Sequence, residues 1–271
     1  MSPESGAGTS EDLLYASRSL IAYIGSKRAL LPFLRTVFLE LHDRRPLLRF
    51  LDPFAGTGAV SRLARTLGLK VMANDSEPYS WAVNACWLSI PAEDGPRLFG
   101  EEGGVAGVLE RLNALHPARL GHAAPEDSHP PYIARFYAPA ETSRGDWRKE
   151  RLFYTRENAL FLDRVRYAID ELRPPTGQFL GTAPKLDRVE QERAVLLGPL
   201  VHQAATHVNT SGVFKAFHKG YGGHGRDALG RIMSPMSLDP PLLWPGPAAE
   251  LGCGDAAAFC AGRSADLCYL D

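Results

Sequence analysis

Cysteine is scarce. Four thiols stand in 271 residues, Cys86, Cys253, Cys260 and Cys268, and no two form a C-x-x-C pair. That argues against a cysteine-built zinc module or a disulfide-stapled fold, and each thiol reads as a small buried hydrophobe. Long apolar runs are missing too: none reaches the about 18 residues that would cross a bilayer. The N-terminus also lacks the charged-then-apolar plan of a secretory signal. A membrane partner is therefore not expected, and a cytoplasmic location is the default. Net charge is nearly absent, since 30 Lys and Arg face 31 Asp and Glu. His202, His207, His218 and His224 lack a tight pair with a carboxylate partner, so no metal site is expected.

What charge there is lies unevenly. Between Arg144 and Arg166 seven basic residues face four acids, and from Val201 to Pro235 four face one. A local patch of this kind can hold phosphate although the whole chain is near neutral. Composition does not show whether the two runs share a face.

The chain is organised around Phe50-Leu51-Asp52-Pro53-Phe54-Ala55-Gly56-Thr57-Gly58. An apolar pair runs into a loop with two glycines, and Ala59 to Arg65 then reads as a helix. Glycine at 56 and 58 permits backbone angles closed to other residues and removes the Cβ atoms that would keep a ligand from the loop amides. Seventeen residues beyond Gly58, Asp75 closes a second apolar run, where a doubly wound fold places the carboxylate for a ribose diol. Asn74-Asp75-Ser76-Glu77-Pro78 also suits a plain turn with a helix cap.

Residues 1 to 19 read as a mobile tail with helical potential near Leu13. Leu30, Leu31, Leu34, Val37, Phe38 and Leu41 are spaced for a helix that starts after Gly25-Ser26 and carries Lys27 near its start, which suits either an anion or a solvated lysine. From 91 to 131 glycines and prolines break the pattern, so the chain is expected to leave its core for an insert over 91–245. Helices are predicted over 156–172 and 190–205, with a mobile connection bounded by Pro174-Pro175 and Pro184. Asn209 to Gly223 mixes amide, hydroxyl, aromatic and basic side chains with glycine, as a nucleic-acid loop or an ordinary surface loop would. The end returns to strand patterns at Glu250–Cys253 and Asp266–Leu270. Asp52, Asp75, Asp255 and Asp271 then fall at the carboxyl edge of one parallel sheet, where ligands gather.

With these pieces placed, the chain resembles the Dam-like, alpha-group DNA adenine-N6 methyltransferases. The resemblance rests on Tyr23-Ile24-Gly25-Ser26-Lys27, Asp52-Pro53-Phe54-Ala55-Gly56-Thr57-Gly58 and Asn74-Asp75, in that order, and covers roughly residues 20 to 271. It implies a Rossmann-like α/β core over 20–90 and 246–271 that binds S-adenosylmethionine, with 91–245 as a mainly helical target-recognition insert. It also implies double-stranded DNA as partner, in a restriction-modification setting. By resemblance, Tyr23, Gly25, Lys27, Asp52, Phe54, Ala55, Gly56, Gly58, Asp75, Asp255 and Ala256 would surround the cofactor. Asn209, Ser211, Lys215, Lys219 and Arg226 would meet DNA, and Asp271 would be the catalytic carboxylate.

One departure from the family pattern stands out. The last strand should run into Asp-Pro-Pro-Tyr, and the sequence stops at Asp271. The resemblance then implies the N-terminal part of such an enzyme, a fragment or one half of a split enzyme completed by a second chain, and inactive or incomplete without the rest. The alternative is a non-catalytic nucleic-acid-binding module that retains the fold. A nicotinamide enzyme is disfavoured, because Ser61 stands where a dinucleotide fingerprint has its third glycine.

Overall fold

The computed structural model describes residues 10–18, 20–21, 26–120, 129–175, 181–183, 186–211 and 216–271. In chain order the elements that position the site are α1 (Ser10–Ser17), α2 (Leu31–Arg44), β1 (Arg49–Asp52), α3 (Ala59–Thr66), β2 (Lys70–Asp75) and α4 (Pro78–Leu88). The helices α5 (Gly104–Asn113), α6 (Pro117–Leu120), α7 (Tyr132–Phe136) and α8 (Arg156–Leu172) follow. Then come β3 (Gly181–Ala183), α9 (Arg188–Thr206), α10 (Leu229–Met233), β4 (Glu250–Cys253), α11 (Ala256–Cys260) and β5 (Leu267–Cys268).

The strands form one sheet in the order β3-β4-β2-β1-β5. Four of them run parallel, with Phe50 in register between Val71 and Leu267, and Met72 beside Glu250. Parallel strands joined by helices are covered on both faces, which is why Phe50, Val71, Ala73 and Leu251 are all buried. β1–α3–β2 therefore realises the strand, loop and helix expected from the glycine motif, and the sheet with its flanking helices is the Rossmann-like α/β arrangement expected from the sequence.

Two stretches differ from expectation. The helical potential near Leu13 is realised as α1 over Ser10–Ser17, which differs from a tail in packing against α3 and leaving Tyr15 and Ala16 without exposure. The apolar residues there number too few to show periodicity, yet Leu13, Tyr15 and Ala16 pack into the core while Leu14 stays exposed. The connection between Pro175 and Pro184 contains β3, an antiparallel strand on β4. Its three residues are too short to show alternation. The stretch expected as an insert thus lends a strand to the sheet, and its long helix α9 packs on α4.

Helix α3 buries two arginines, and neither has a carboxylate partner among the described residues. Arg62 is fully buried, donates from Nη1 to the Arg18 carbonyl at 2.8 Å and lies 4.4 Å from the Trp87 ring. Burial lowers its pKa to about 10. Arg65 donates to the carbonyls of Leu88 and of Trp244, the latter at 3.0 Å. The pair ties the end of α1, the end of α4 and the segment before β4 to one helix.

Candidate functional site

The site is built from the carboxyl ends of β1, β2 and β4. Past Asp52 the chain turns through Gly56, at φ +51°, and Gly58, at φ +75°, both in the left-handed region that favours glycine. The amide of Ala55 donates to the Asn74 carbonyl at 2.8 Å, which fixes the loop on β2. Ser80 and Asn84, one turn apart on α4, both donate to the Gly56 carbonyl. The two glycines have different reasons to be there. A Cβ at Gly58 would lie 1.9 Å from Asn84 Oδ1, whereas one at Gly56 would meet nothing within 4 Å among the described residues. Gly58 is needed for packing, and no described residue fills the space in front of Gly56.

Asp75 closes the turn from the other side. Its Oδ2 accepts from the Gly56 amide at 2.7 Å and its Oδ1 from the Glu77 amide at 3.0 Å. The turn-forming reading of Asp75 is therefore realised, and a carboxylate with one bond to each oxygen still has lone pairs for a diol. Asn74, almost fully buried, donates to the carbonyls of Pro53 and Gly254, both at 3.1 Å. The Gly254 amide donates back to the Asp75 carbonyl at 2.9 Å. Three loops are thereby bound into one floor.

Asp52 sits beneath this floor. It is 1% exposed and its Oδ2 accepts from the Ser61 hydroxyl at 2.7 Å, with the backbone of Phe54 also bonding to the carboxyl. Burial pushes its pKa up to about 7, against the opposing pull of the Ser61 bond, and the charges of Asp75 and Asp271 push in the same direction as burial. Asp271 forms an ion pair with Lys27, whose ammonium is raised in pKa chiefly by that contact. Asp255 caps α11 by accepting from the Ala258 amide at 2.7 Å, with Ala256 following it at the helix start. All four acids thus lie at the same ends of parallel strands. Phe54 projects from the glycine loop and is 53% exposed.

The structure brings together Lys27, Asp52, Ala55, Gly56, Gly58, Asp75 and Asp271, with Asp255 and Ala256 at the neighbouring strand end. Tyr23, Gly25 and Lys215 lie outside the described residues. Ser80 and Asn84 were missed by sequence reasoning. The available signal was two polar side chains four residues apart in an otherwise apolar helix, Pro78–Leu88.

Asn209 requires a correction. It has no exposure, its Nδ2 donates to the carbonyls of Leu152 at 2.9 Å and His218 at 3.1 Å, and its Oδ1 accepts from the Gly222 amide at 3.2 Å. A side chain committed in this way to backbone holds two loops together and presents nothing to a base. Ser211, Lys219 and Arg226 are exposed. Arg226 adopts φ +54°, a left-handed conformation uncommon for a residue with a side chain.

A glycine loop at the end of the first parallel strand, an acid at the end of the second and a third loop beside them define the nucleotide-site architecture of a Rossmann-like fold. Residues 23–93 match the family model of the D12 class N6 adenine-specific DNA methyltransferases. It is 29% identical over 252 residues to the type II methyltransferase M.NlaIII of Neisseria lactamica, covering 92% of this chain and 63% of that relative. It is 28% identical over 199 residues to the modification methylase LlaI of Lactococcus lactis subsp. lactis, covering 73% of this chain and 27% of that relative. The chain thus spans less than two thirds of either relative. No solved structure matches it significantly.

Proposed function

We propose that this chain binds S-adenosylmethionine at the floor made by Gly56, Asp75 and Gly254, and serves methyl transfer to the N6 of adenine in double-stranded DNA. One observation carries the reading: the glycine turn and the acids at the ends of β1, β2, β4 and β5 converge, with space in front of Gly56 that no described residue fills and where a ligand can approach the amides. The matched family and the names of both relatives point the same way. When bound, the cofactor supplies an electrophilic methyl group on sulfonium. Asp75 accepts hydrogen bonds from a ribose diol, and Asp255 with Ala256 meets the adenine of the cofactor.

Asp271 is the carboxylate suited to accept a hydrogen bond from the exocyclic amine of a target adenine. That contact draws electron density toward a poorly nucleophilic nitrogen and offsets the positive charge that develops there. Lys27 orients it through their ion pair. Ser211, Lys219 and Arg226, with Lys215, are the candidates on this chain for contact with DNA.

Calorimetric titration of S-adenosylmethionine tests the reading. Saturable heat is expected for the native chain and little for Asp75→Ala, while equal heats from both would remove the ribose role. Transfer of labelled methyl to adenine in duplex DNA is the second test: any transfer by this chain would reject a non-catalytic module and should be lost in Asp271→Ala.

A further inference from the structure

The geometry points to a phosphate-binding cleft between α7 and the start of α8 that receives the backbone of duplex DNA. The cleft has a volume of about 510 Å³ and is lined by Arg135, Lys149, Arg151 and Arg156, with Phe136 and a single acid, Glu150. This assignment rests on the reading of the chain as a DNA-directed enzyme and names a region of contact that the motifs do not contain.

Three observations carry it. First, the cations are not neutralised by acids. Arg135, Arg151 and Arg156 have no carboxylate partner among the described residues, and Lys149 meets Asp146 only at 4.0 Å through a side chain that is 81% exposed. Such a surface pair contributes little and yields readily. Second, the one acid is occupied: Glu150 Oε1 accepts from the Ala140 amide at 2.7 Å, and Oε2 from the Asp146 amide at 3.4 Å. Third, Arg156 is held in place by donating to the Ala134 carbonyl at 2.7 Å, while Arg135 lies over the Phe136 ring at 5.1 Å. Planar guanidinium groups with free donors on partly fixed stems match phosphate oxygens.

The cleft also adjoins the glycine-rich loop. Asn209 binds Leu152 and Phe153 to that loop, the Tyr221 hydroxyl donates to the Tyr154 carbonyl at 2.9 Å, and Lys219 sits 4.6 Å from the Trp147 ring, which Arg148 also overlies at 4.6 Å. Lys219 of the second basic run therefore stands beside Trp147 and Arg148 of the first. A backbone contact of this kind positions the duplex without reading its sequence.

The test is duplex DNA binding by fluorescence anisotropy across a salt series, with the Arg135→Ala/Lys149→Ala/Arg151→Ala variant. Arg156 is left alone because it braces α7. The variant is expected to bind target and unrelated duplexes equally more weakly, on the order of tenfold, with the slope of log K against log salt reduced by about 0.9 for each phosphate no longer neutralised. Its heat of S-adenosylmethionine binding should not change, which also establishes that it is folded. Lys149→Glu alone should weaken binding in the same sense, and Arg135→Lys should largely preserve the salt slope. Native affinity and slope in the triple variant and in Lys149→Glu would overturn the cleft while leaving the proposed enzyme intact. A native chain that takes up cofactor but binds no duplex, or prefers duplex RNA, would overturn the cleft and the DNA partner together.

Discussion

Gly58 and Asn84 meet so closely that the glycine has no room for a side chain, since its Cβ would lie 1.9 Å from the Asn84 Oδ1. Asn84 is anchored by its bonds to Gly56 and Ser80 and cannot simply swing away. Gly58→Ala adds this clash to a φ of +75° and should cost about 2–4 kcal/mol, seen as a lower denaturation midpoint. Gly56→Ala bears only the strain of φ +51°, roughly 1 kcal/mol, because its Cβ meets no described residue. It should stay folded and lose S-adenosylmethionine binding, and retained binding would show that the open space is not the cofactor's.

Asp52 should make stability depend on pH. Its folded pKa of about 7 is above the value of 3.8 for a free side chain. Between those values the folded protein holds a proton that the unfolded chain has released, so the stability present below pH 3.8 is lost as pH rises through about 7. The loss amounts to roughly 4 kcal/mol once the group is charged in both states. Asp52→Asn keeps an acceptor for Ser61 and cannot ionise. Urea titrations at pH 5 and pH 8 should show the native chain weakening between them by more than the variant. Parallel behaviour would mean that Asp52 is charged throughout.

Asn209→Ala should behave as a core mutation even though its neighbours form a polar, glycine-rich loop. It strands the carbonyls of Leu152 and His218 and the amide of Gly222. A cost of about 3 kcal/mol is expected, because each buried polar group left without a partner is destabilising. Chemical denaturation measures it. A change within about 0.5 kcal/mol would place Asn209 back among the surface residues open to DNA.

Asn74→Ala removes the bonds to Pro53 and Gly254 and should lower stability by roughly 2 kcal/mol. Its more telling effect should be on S-adenosylmethionine affinity, which should fall several-fold although Asn74 is almost fully buried. Calorimetry on the folded variant distinguishes this from simple unfolding.

Much of the core was legible because its signals are local. Phe50-Leu51 before a two-glycine loop, and Val71 to Asn74 before Asp75, state strand and turn within a few residues. The periodicity of Phe161, Val165 and Ile169 likewise gave the helix Arg156–Leu172 at its observed ends. What escaped depends on distant partners. Three residues of β3 become a strand only because β4 lies beside them. Asn209 has the same identity whether it faces solvent or the Leu152 carbonyl, and its sequence neighbours do not decide between these. Ser80 and Asn84 gain meaning only once the Gly56 carbonyl is overhead. That Lys219 comes to lie beside Trp147 and Arg148 follows from loop stitching, which no local pattern encodes.

The cross-ties made by Asn74 have a consequence for how a ligand arrives. Because the turns after three separate strands are already fastened to one another, the receptacle proposed for an adenosyl group needs no assembly of these turns on encounter. Little of the intrinsic affinity should then be forfeited to ordering the protein. Recognition of the small molecule would be close to rigid docking, leaving whatever rearrangement accompanies the reaction to the elements that meet the nucleic acid.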